Sequence, residues 1–165
     1  MRVFNEIQRF DQWWFRLVML MILATMAISI WTVLQENLNT TETFIALILG
    51  LISLGVIVLI SFYLKLETRI NEQGVHYGFW PFQRQLKHIP WNDIKKIYVR
   101  QYNALTEYGG WGYRLTFSKH GKAYNVKGNK GIQIVFKDGK KTLIGTQKPE
   151  EARSIIQRYI QNKEL

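Results

Sequence analysis

Leu17–Leu34 and Phe44–Leu64 are two runs, 18 and 21 residues long, without a single Asp, Glu, Lys, Arg or His. Each reaches the roughly 20 residues that a helix rising about 1.5 Å per residue needs to cross about 30 Å of hydrocarbon. Core helices of soluble proteins keep one polar stripe, and these runs have none. The nine residues between them, Gln35–Thr43, hold Glu36 and Glu42 but no Lys or Arg. The pattern predicts an N-terminal segment and a transmembrane hairpin over residues 1–64, with spans at about 17–34 and 44–64. A second domain then occupies residues 65–165.

Basic residues set the orientation. Arg2, Arg9 and Arg16 precede the first run and Lys65 and Arg69 follow the second, so the positive-inside rule puts both termini in the cytoplasm. Trp13, Trp14, Trp31, Phe62 and Tyr63 lie near the run ends, where amphipathic rings favour the membrane interface. The first run is too long for a signal-peptide apolar region of about 7–15 residues, and no small-x-small cleavage site follows it. Ion or proton pathways need ionisable groups at membrane depth, which the runs lack. Ala46, Gly50 and Ser53 form a small-residue face suited to close helix packing, either within the hairpin or in a homo-oligomer. Val3, Phe4, Ile7, Phe10 and Trp14 recur at near-helical spacing, which predicts a short interfacial helix.

The chain has no cysteine, which excludes disulfides, thiol catalysis and thiolate metal sites. His76, His88 and His120 are spaced unlike the i, i+4 pair that places two imidazoles on one helical face, so neither a metal nor any other cofactor is expected. The domain over residues 65–165 carries 19 Lys and Arg against 8 Asp and Glu. Held beside an anionic leaflet, it would be drawn to the lipid. Basic charge also suits nucleic acid, but the membrane tether favours lipid, and no nucleic-acid partner is expected.

Short strand-like segments fill that domain: Leu66–Ile70, Val75–Trp80, Gln85–Ile89, Ile94–Tyr102, Tyr113–Ser118, Ala123–Val126, Gly131–Phe136 and Thr142–Ile144. Asp138-Gly139 predicts a hairpin of type I′. Pro149, Glu150 and Glu151 open a helix whose apolar stripe is Ala152, Ile155, Ile156, Tyr159 and Ile160. The fold class is therefore α+β: a two-helix hairpin, then a small antiparallel barrel or sandwich closed by a C-terminal helix.

Gly74-Val75-His76-Tyr77 through Ile89-Pro90-Trp91-Asn92-Asp93-Ile94 to Val99, with the helix start at Thr146–Glu151, resembles bacterial pleckstrin-homology-like domains. Glu107–Arg114, Gly128–Gly131 and Leu143–Pro149 look like segments of an uncharacterised bacterial membrane-protein family with this layout. The resemblance covers nearly the whole chain and implies a multi-pass protein of the bacterial cytoplasmic membrane. It implies little about activity. Lipid-binding eukaryotic members place a basic cluster in the first strand pair, whereas the equivalent turn here is Asn71-Glu72-Gln73-Gly74, so specific phosphoinositide recognition is not expected.

Two groups of residues stand out in the domain. Glu107, Trp111 and Arg114 flank glycines at 109, 110 and 112. They make either a ligand or partner loop or a bulged strand entry with Trp111 tucked into the core. Lys119, Lys122, Lys127 and Lys130 flank two consecutive turns, a candidate anion- or lipid-binding patch whose alternative is a solvated face. Neither an activated nucleophile nor a supported carboxylate pair is visible, so no catalytic residue is assigned. The sequence reads as a non-enzymatic, membrane-anchored adaptor whose basic domain contacts an unknown protein partner or the anionic leaflet. A ligand-sensing or enzymatic pocket near Glu107, Trp111 and Arg114, and an accessory subunit of a membrane complex, are the alternatives.

Overall fold

The computed structural model describes residues 3–35, 40–115 and 120–161. It separates into two compact units, Met1–Arg9 with Lys65–Leu165, and Phe10–Leu64.

The first unit is built from two sheets. One has the order β1 (Phe4–Arg9), β2 (Lys65–Ile70), β3 (Gly74–Trp80) and β4 (Lys87–Pro90), all antiparallel. A 3₁₀ turn at Trp91–Asp93 leads into the second sheet. There β5 (Ile94–Gln101), β8 (Lys130–Phe136), β9 (Lys141–Gly145), β7 (Lys122–Asn125) and β6 (Gly112–Leu115) lie in that order. Its pairs are antiparallel except β7 with β9, which run parallel with Lys122 opposite Thr142. The eight strands expected after the second helix are all present near their expected positions, the last three residues of Tyr113–Ser118 lying outside the described residues. The expected barrel is not: the chain turns a corner at Trp91–Asp93 and the two sheets do not close on each other. Both sheets bury an apolar face, with Leu66, Val75 and Phe79 on one and Ile132, Ile134 and Ile144 on the other, and Tyr77 of the first meets Tyr124 of the second edge-on.

Phe4–Arg9 is a strand, not the expected interfacial helix. Phe4, Glu6 and Gln8 point inward and Asn5, Ile7 and Arg9 outward, a period of two. The inward face is mostly polar, which hides that period from an apolar-spacing argument. Those polar groups are used. Glu6 accepts hydrogen bonds from Thr146 Oγ1 (2.6 Å) and the Gln147 amide (2.7 Å), and Gln8 Nε2 donates to the Gly145 carbonyl (2.7 Å). The β1–β2 ladder runs from Phe4 opposite Ile70 to Arg9 opposite Lys65. Everything between Arg9 and Lys65 is thus the loop of one antiparallel strand pair.

The closing helix α4 (Pro149–Gln161) is amphipathic, burying Ala152, Ile155 and Ile156, and it packs on β5, β8 and β1. The Asp138-Gly139 turn differs in type from the expected one. Type I′ needs positive φ at both central residues, but among these only Gly139 has it, at 83°. Gly139 N donates to Phe136 O (3.0 Å) and Phe136 N to Lys140 O (2.9 Å), the bonding of a three-residue turn ending in a glycine bulge.

The second unit is two helices, α1 (Trp13–Gln35) and α2 (Thr40–Tyr63), each long and apolar enough to cross a membrane. Gly50 lies against α1, where a Cβ would meet Ile30 Cδ1 at 3.0 Å. Ser53 Oγ is 3.7 Å from Met26 Sδ and also bonds the Leu49 and Gly50 carbonyls. The small-residue face thus packs within the hairpin at Gly50 and Ser53.

Candidate functional site

A cleft of about 550 Å³ opens where β3 and β4 of the first sheet approach β7, β8 and β9 of the second. Its aromatic floor comes from Tyr77, Tyr124 and Phe136, and its rim from Lys87, Lys122, Lys140 and Lys141. The floor is ordered by ring packing. Tyr124, fully buried, meets Tyr77 edge-on at 4.7 Å and stacks with Tyr113 at 4.8 Å. Burial, together with the neighbouring Tyr124, pushes the Tyr77 hydroxyl well above the usual tyrosine range, so it stays protonated.

Lys87 is exposed but tied to the floor. Its ammonium donates to Tyr124 Oη at 3.1 Å and sits 5.7 Å and 5.9 Å from the Tyr124 and Tyr113 ring centroids. Asp138 also lines the cleft, but it is already paired with Lys140, Nζ to Oδ2 at 2.7 Å. That lysine holds the Asp138 carboxyl below the usual carboxylate range. Among the described residues no carboxylate pairs with Lys87, Lys122 or Lys141. Gly121 lets the chain enter β7 beside β9: its φ is 77°, and a Cβ there would collide with the Lys141 carbonyl.

The candidate lysine patch is divided by this arrangement. Lys122 lies in the cleft; Lys127 and Lys130 lie beyond the other end of β7, and Lys119 is outside the described residues. Consecutive turns of a meander sit at opposite ends of the strand they share, and five extended residues separate Lys122 from Lys127 by roughly 16 Å. Sequence reasoning missed Lys87, Lys140 and Lys141. The Asp-Gly turn announces Lys140 and Lys141, but the non-local parallel pairing of β7 with β9 sets Thr142 opposite Lys122, and Lys141 alternates to the other face, where it borders a second cleft with Arg100, Glu107 and His120.

Glu107, Trp111 and Arg114 do not converge on one ligand. The segment forms α3 (Ala104–Tyr108) rather than a bulged strand entry. The Asn103 side chain accepts from the Leu105 and Thr106 amides at one end, and Gly109 in the left-handed region (φ 71°) closes the other. Arg100 grips Glu107 with two hydrogen bonds, 2.7 and 3.2 Å, while donating to Tyr108 Oη (3.1 Å) and Gln133 Oε1 (2.9 Å). Glu107 also accepts the Asn103 amide (2.9 Å) and lies 3.5 Å from His120 Nδ1. The Arg100 guanidinium holds the Glu107 carboxyl below the usual carboxylate range. Trp111 packs against Tyr102, Ala104, Tyr108, Ala123 and Leu143, with its Nε1 3.3 Å from the Gly128 carbonyl. Arg114 Nε donates to the Trp111 carbonyl (3.1 Å). Glu107 and Trp111 line a shallower cleft of about 420 Å³ that Arg114 does not border.

A third grouping went unpredicted. His76 and His88, directly opposed on β3 and β4, stack at 4.4 Å. Burial, then the neighbouring His88 and Arg69, lower the His76 pKa.

No family model matches the chain, and neither the curated proteins nor the solved structures contain a match to it.

Proposed function

We propose that this chain is a membrane-anchored, non-enzymatic adaptor: α1 and α2 cross the bacterial cytoplasmic membrane as a hairpin and hold the α+β domain at the cytoplasmic leaflet. The observation that carries this reading is the β1–β2 ladder. Strands that flank the helical pair in sequence are hydrogen-bonded to each other up to Arg9 and Lys65. Both ends of the pair must therefore emerge on one side of any membrane they enter, as two crossings require. The outer faces of the helices support it too. None of the described residues in the two most apolar windows, Arg16–Val33 and Thr41–Val58, is buried, whereas a soluble protein would bury a core helix. Arg and Lys at both ends, with none between the helices, favour the cytoplasm.

The non-enzymatic part rests on Glu107. Its carboxylate is occupied by Arg100 and by the start of α3, so it is committed to structure rather than to proton transfer. The adaptor's contacts are then made by its basic domain, with leaflet lipid or a membrane-bound protein.

The chain has no native cysteine, so single cysteines report topology directly. Thr41→Cys and Lys130→Cys, in cells and in inverted vesicles, are treated with a membrane-impermeant maleimide. Thr41→Cys should label only in intact cells and Lys130→Cys only in inverted vesicles. Labelling of both from the same side would refute the spanning hairpin.

A further inference from the structure

We propose that the loop between β3 and β4 is a second membrane contact: Trp80 and Phe82 enter the interface of the leaflet from which the helices emerge, and Arg9, Lys65 and Arg84 meet its anionic headgroups. It rests on the spanning hairpin.

Strand register places the loop. Arg9 lies opposite Lys65 and Lys65 opposite Trp80, so the three residues form one row across β1, β2 and β3. They point away from the buried face, because their neighbours Gln8, Leu66 and Phe79 point into it. The same row is where the chain leaves the sheet: Phe10 follows Arg9 and Leu64 precedes Lys65, the two ends of the helical unit. Neighbouring strands lie about 4.8 Å apart, so Trp80 is one strand from a residue that the chain ties directly to the second apolar run. β3 runs in the same direction as β1. Pro81 and Phe82 therefore leave the sheet by the end at which Phe10 leaves it.

The loop displays Phe82 instead of burying it. Gln83 clamps the end of β3: its amide donates to the Phe79 carbonyl (2.8 Å) and its Oε1 accepts from the Phe79 amide (3.1 Å). Leu86 folds back over Gly78, where a Cβ would meet Leu86 Cδ2 at 3.1 Å. The turn is thus held in place, yet Phe82 is 73 % exposed and Trp80 36 %. A lone exposed aromatic is ordinary on a soluble surface, and it is position that gives these two meaning. Trp13 begins α1 and Tyr63 ends α2, the places of an interfacial aromatic belt, and Trp80 and Phe82 add to that belt from the sheet.

Charge favours lipid as the occupant. No Asp or Glu occurs between Glu72 and Asp93, and Arg84 follows Phe82 by two residues. Arg9 and Arg84 are exposed, and Lys65 is half-buried. Apolar rings bordered by cations suit an anionic interface, where burial of the rings and attraction to headgroups act together.

The absence of cysteine allows single nitroxide labels to report depth. The full chain carrying Phe82→Cys, Glu72→Cys or Leu51→Cys is placed in nanodiscs of phosphatidylcholine and phosphatidylglycerol. Electron paramagnetic resonance then measures access of each label to oxygen, which partitions into lipid, and to a water-soluble nickel chelate. Leu51 lies mid-way along α2, and Glu72 lies in the turn before β3, at the other end of that strand from Trp80. The label at position 82 should lie about 5–10 Å into the headgroup and acyl boundary and favour oxygen, while that at 72 favours nickel. Circular dichroism screens the variants for folding, and Arg84→Cys, also exposed, reads the loop if Phe82→Cys fails to fold. Lipid access at 51 with nickel access at 82 equal to that at 72 would overturn the loop contact and leave the hairpin standing. Nickel access at 51 would overturn the hairpin and the loop contact together. A label at 82 closed to both reagents would mean that protein covers the loop, and would overturn the lipid contact.

Discussion

Changing Glu6 to Ala should detach the first strand from the rest of its unit. The Glu6 carboxylate is 5 % exposed and takes two short hydrogen bonds, from Thr146 Oγ1 at 2.6 Å and the Gln147 amide at 2.7 Å. Hydrogen bonds to a charged group contribute about 1.5–3 kcal/mol each, and removing the acceptor leaves the buried Thr146 hydroxyl unmet while the part-buried Gln147 amide turns to water. Some of that loss is recovered, because the Thr146 hydroxyl can rotate and water can enter beside the small alanine. The net expectation is about 3–4 kcal/mol, a large part of the ~5–15 kcal/mol that holds a typical domain together. Glu6→Gln keeps one acceptor oxygen but presents an amide to the second donor, so about 1–2 kcal/mol is expected. Equilibrium unfolding of the full chain in detergent micelles, read by tryptophan fluorescence, gives the stabilities. Native-state hydrogen exchange at the β2 amides that pair with β1 gives the location. A change below about 0.5 kcal/mol for Glu6→Ala, or unaltered exchange in β2, would refute the latch.

The His76–His88 stack makes stability depend on pH. His76 has its pKa lowered in the fold, so the unfolded chain binds its proton first; stability should fall as pH drops below the unfolded value of 6.5, and His76→Gln should flatten that slope in pH-resolved unfolding. An unchanged slope in the variant would exclude His76 as its source. Glu107→Gln breaks the two-pronged contact with Arg100 and should cost about 1–2 kcal/mol, since both side chains are partly exposed. Because the Glu107 pKa is lowered, its contribution is present above 4.5 and lost as pH falls through the folded value, and acid titration of the variant should lack that step. Gly121→Ala and Gly139→Ala place a side chain at similar φ, 77° and 83°, but only the first meets backbone, at Lys141. Thermal unfolding should show about 1 kcal/mol for Gly139→Ala and clearly more for Gly121→Ala; equal losses would count against the close approach of β7 to β9.

Much of the domain was legible because turn residues punctuate it. Asn71–Gly74, Pro90–Asp93 and Asp138-Gly139 separate the strands where the structure separates them, and the alternation in Val75–Phe79 marks the buried face. The first strand was illegible for a physical reason. Its inward residues are Glu6 and Gln8, which are satisfied only by Gly145, Thr146 and Gln147 far along the chain, while the apolar Ile7 faces outward at 53 % exposure. Spacing therefore suggested a helix. The helix α3 was hidden by the glycines after it, which read as a bulge but serve as its stop. Of the cleft, Lys122 alone was singled out. Lys87 belongs to the other sheet, and no local pattern reports that Tyr77 and Tyr124 would bring β3 and β7 together.

That the helical pair is the loop of the β1–β2 ladder has a consequence for the order of assembly. Phe4 leaves the ribosome first, yet its partner Ile70 is made only after both helices. Until then the edge of the nascent sheet has no template, and the first strand must wait unpaired. Closing so long a loop from a random coil is entropically costly, but two helices already packed antiparallel bring their ends close and shorten the search. Helix pairing at Gly50 and Ile30 should therefore speed formation of the ladder. A bulky residue at Gly50 should delay completion of the sheet at Phe4.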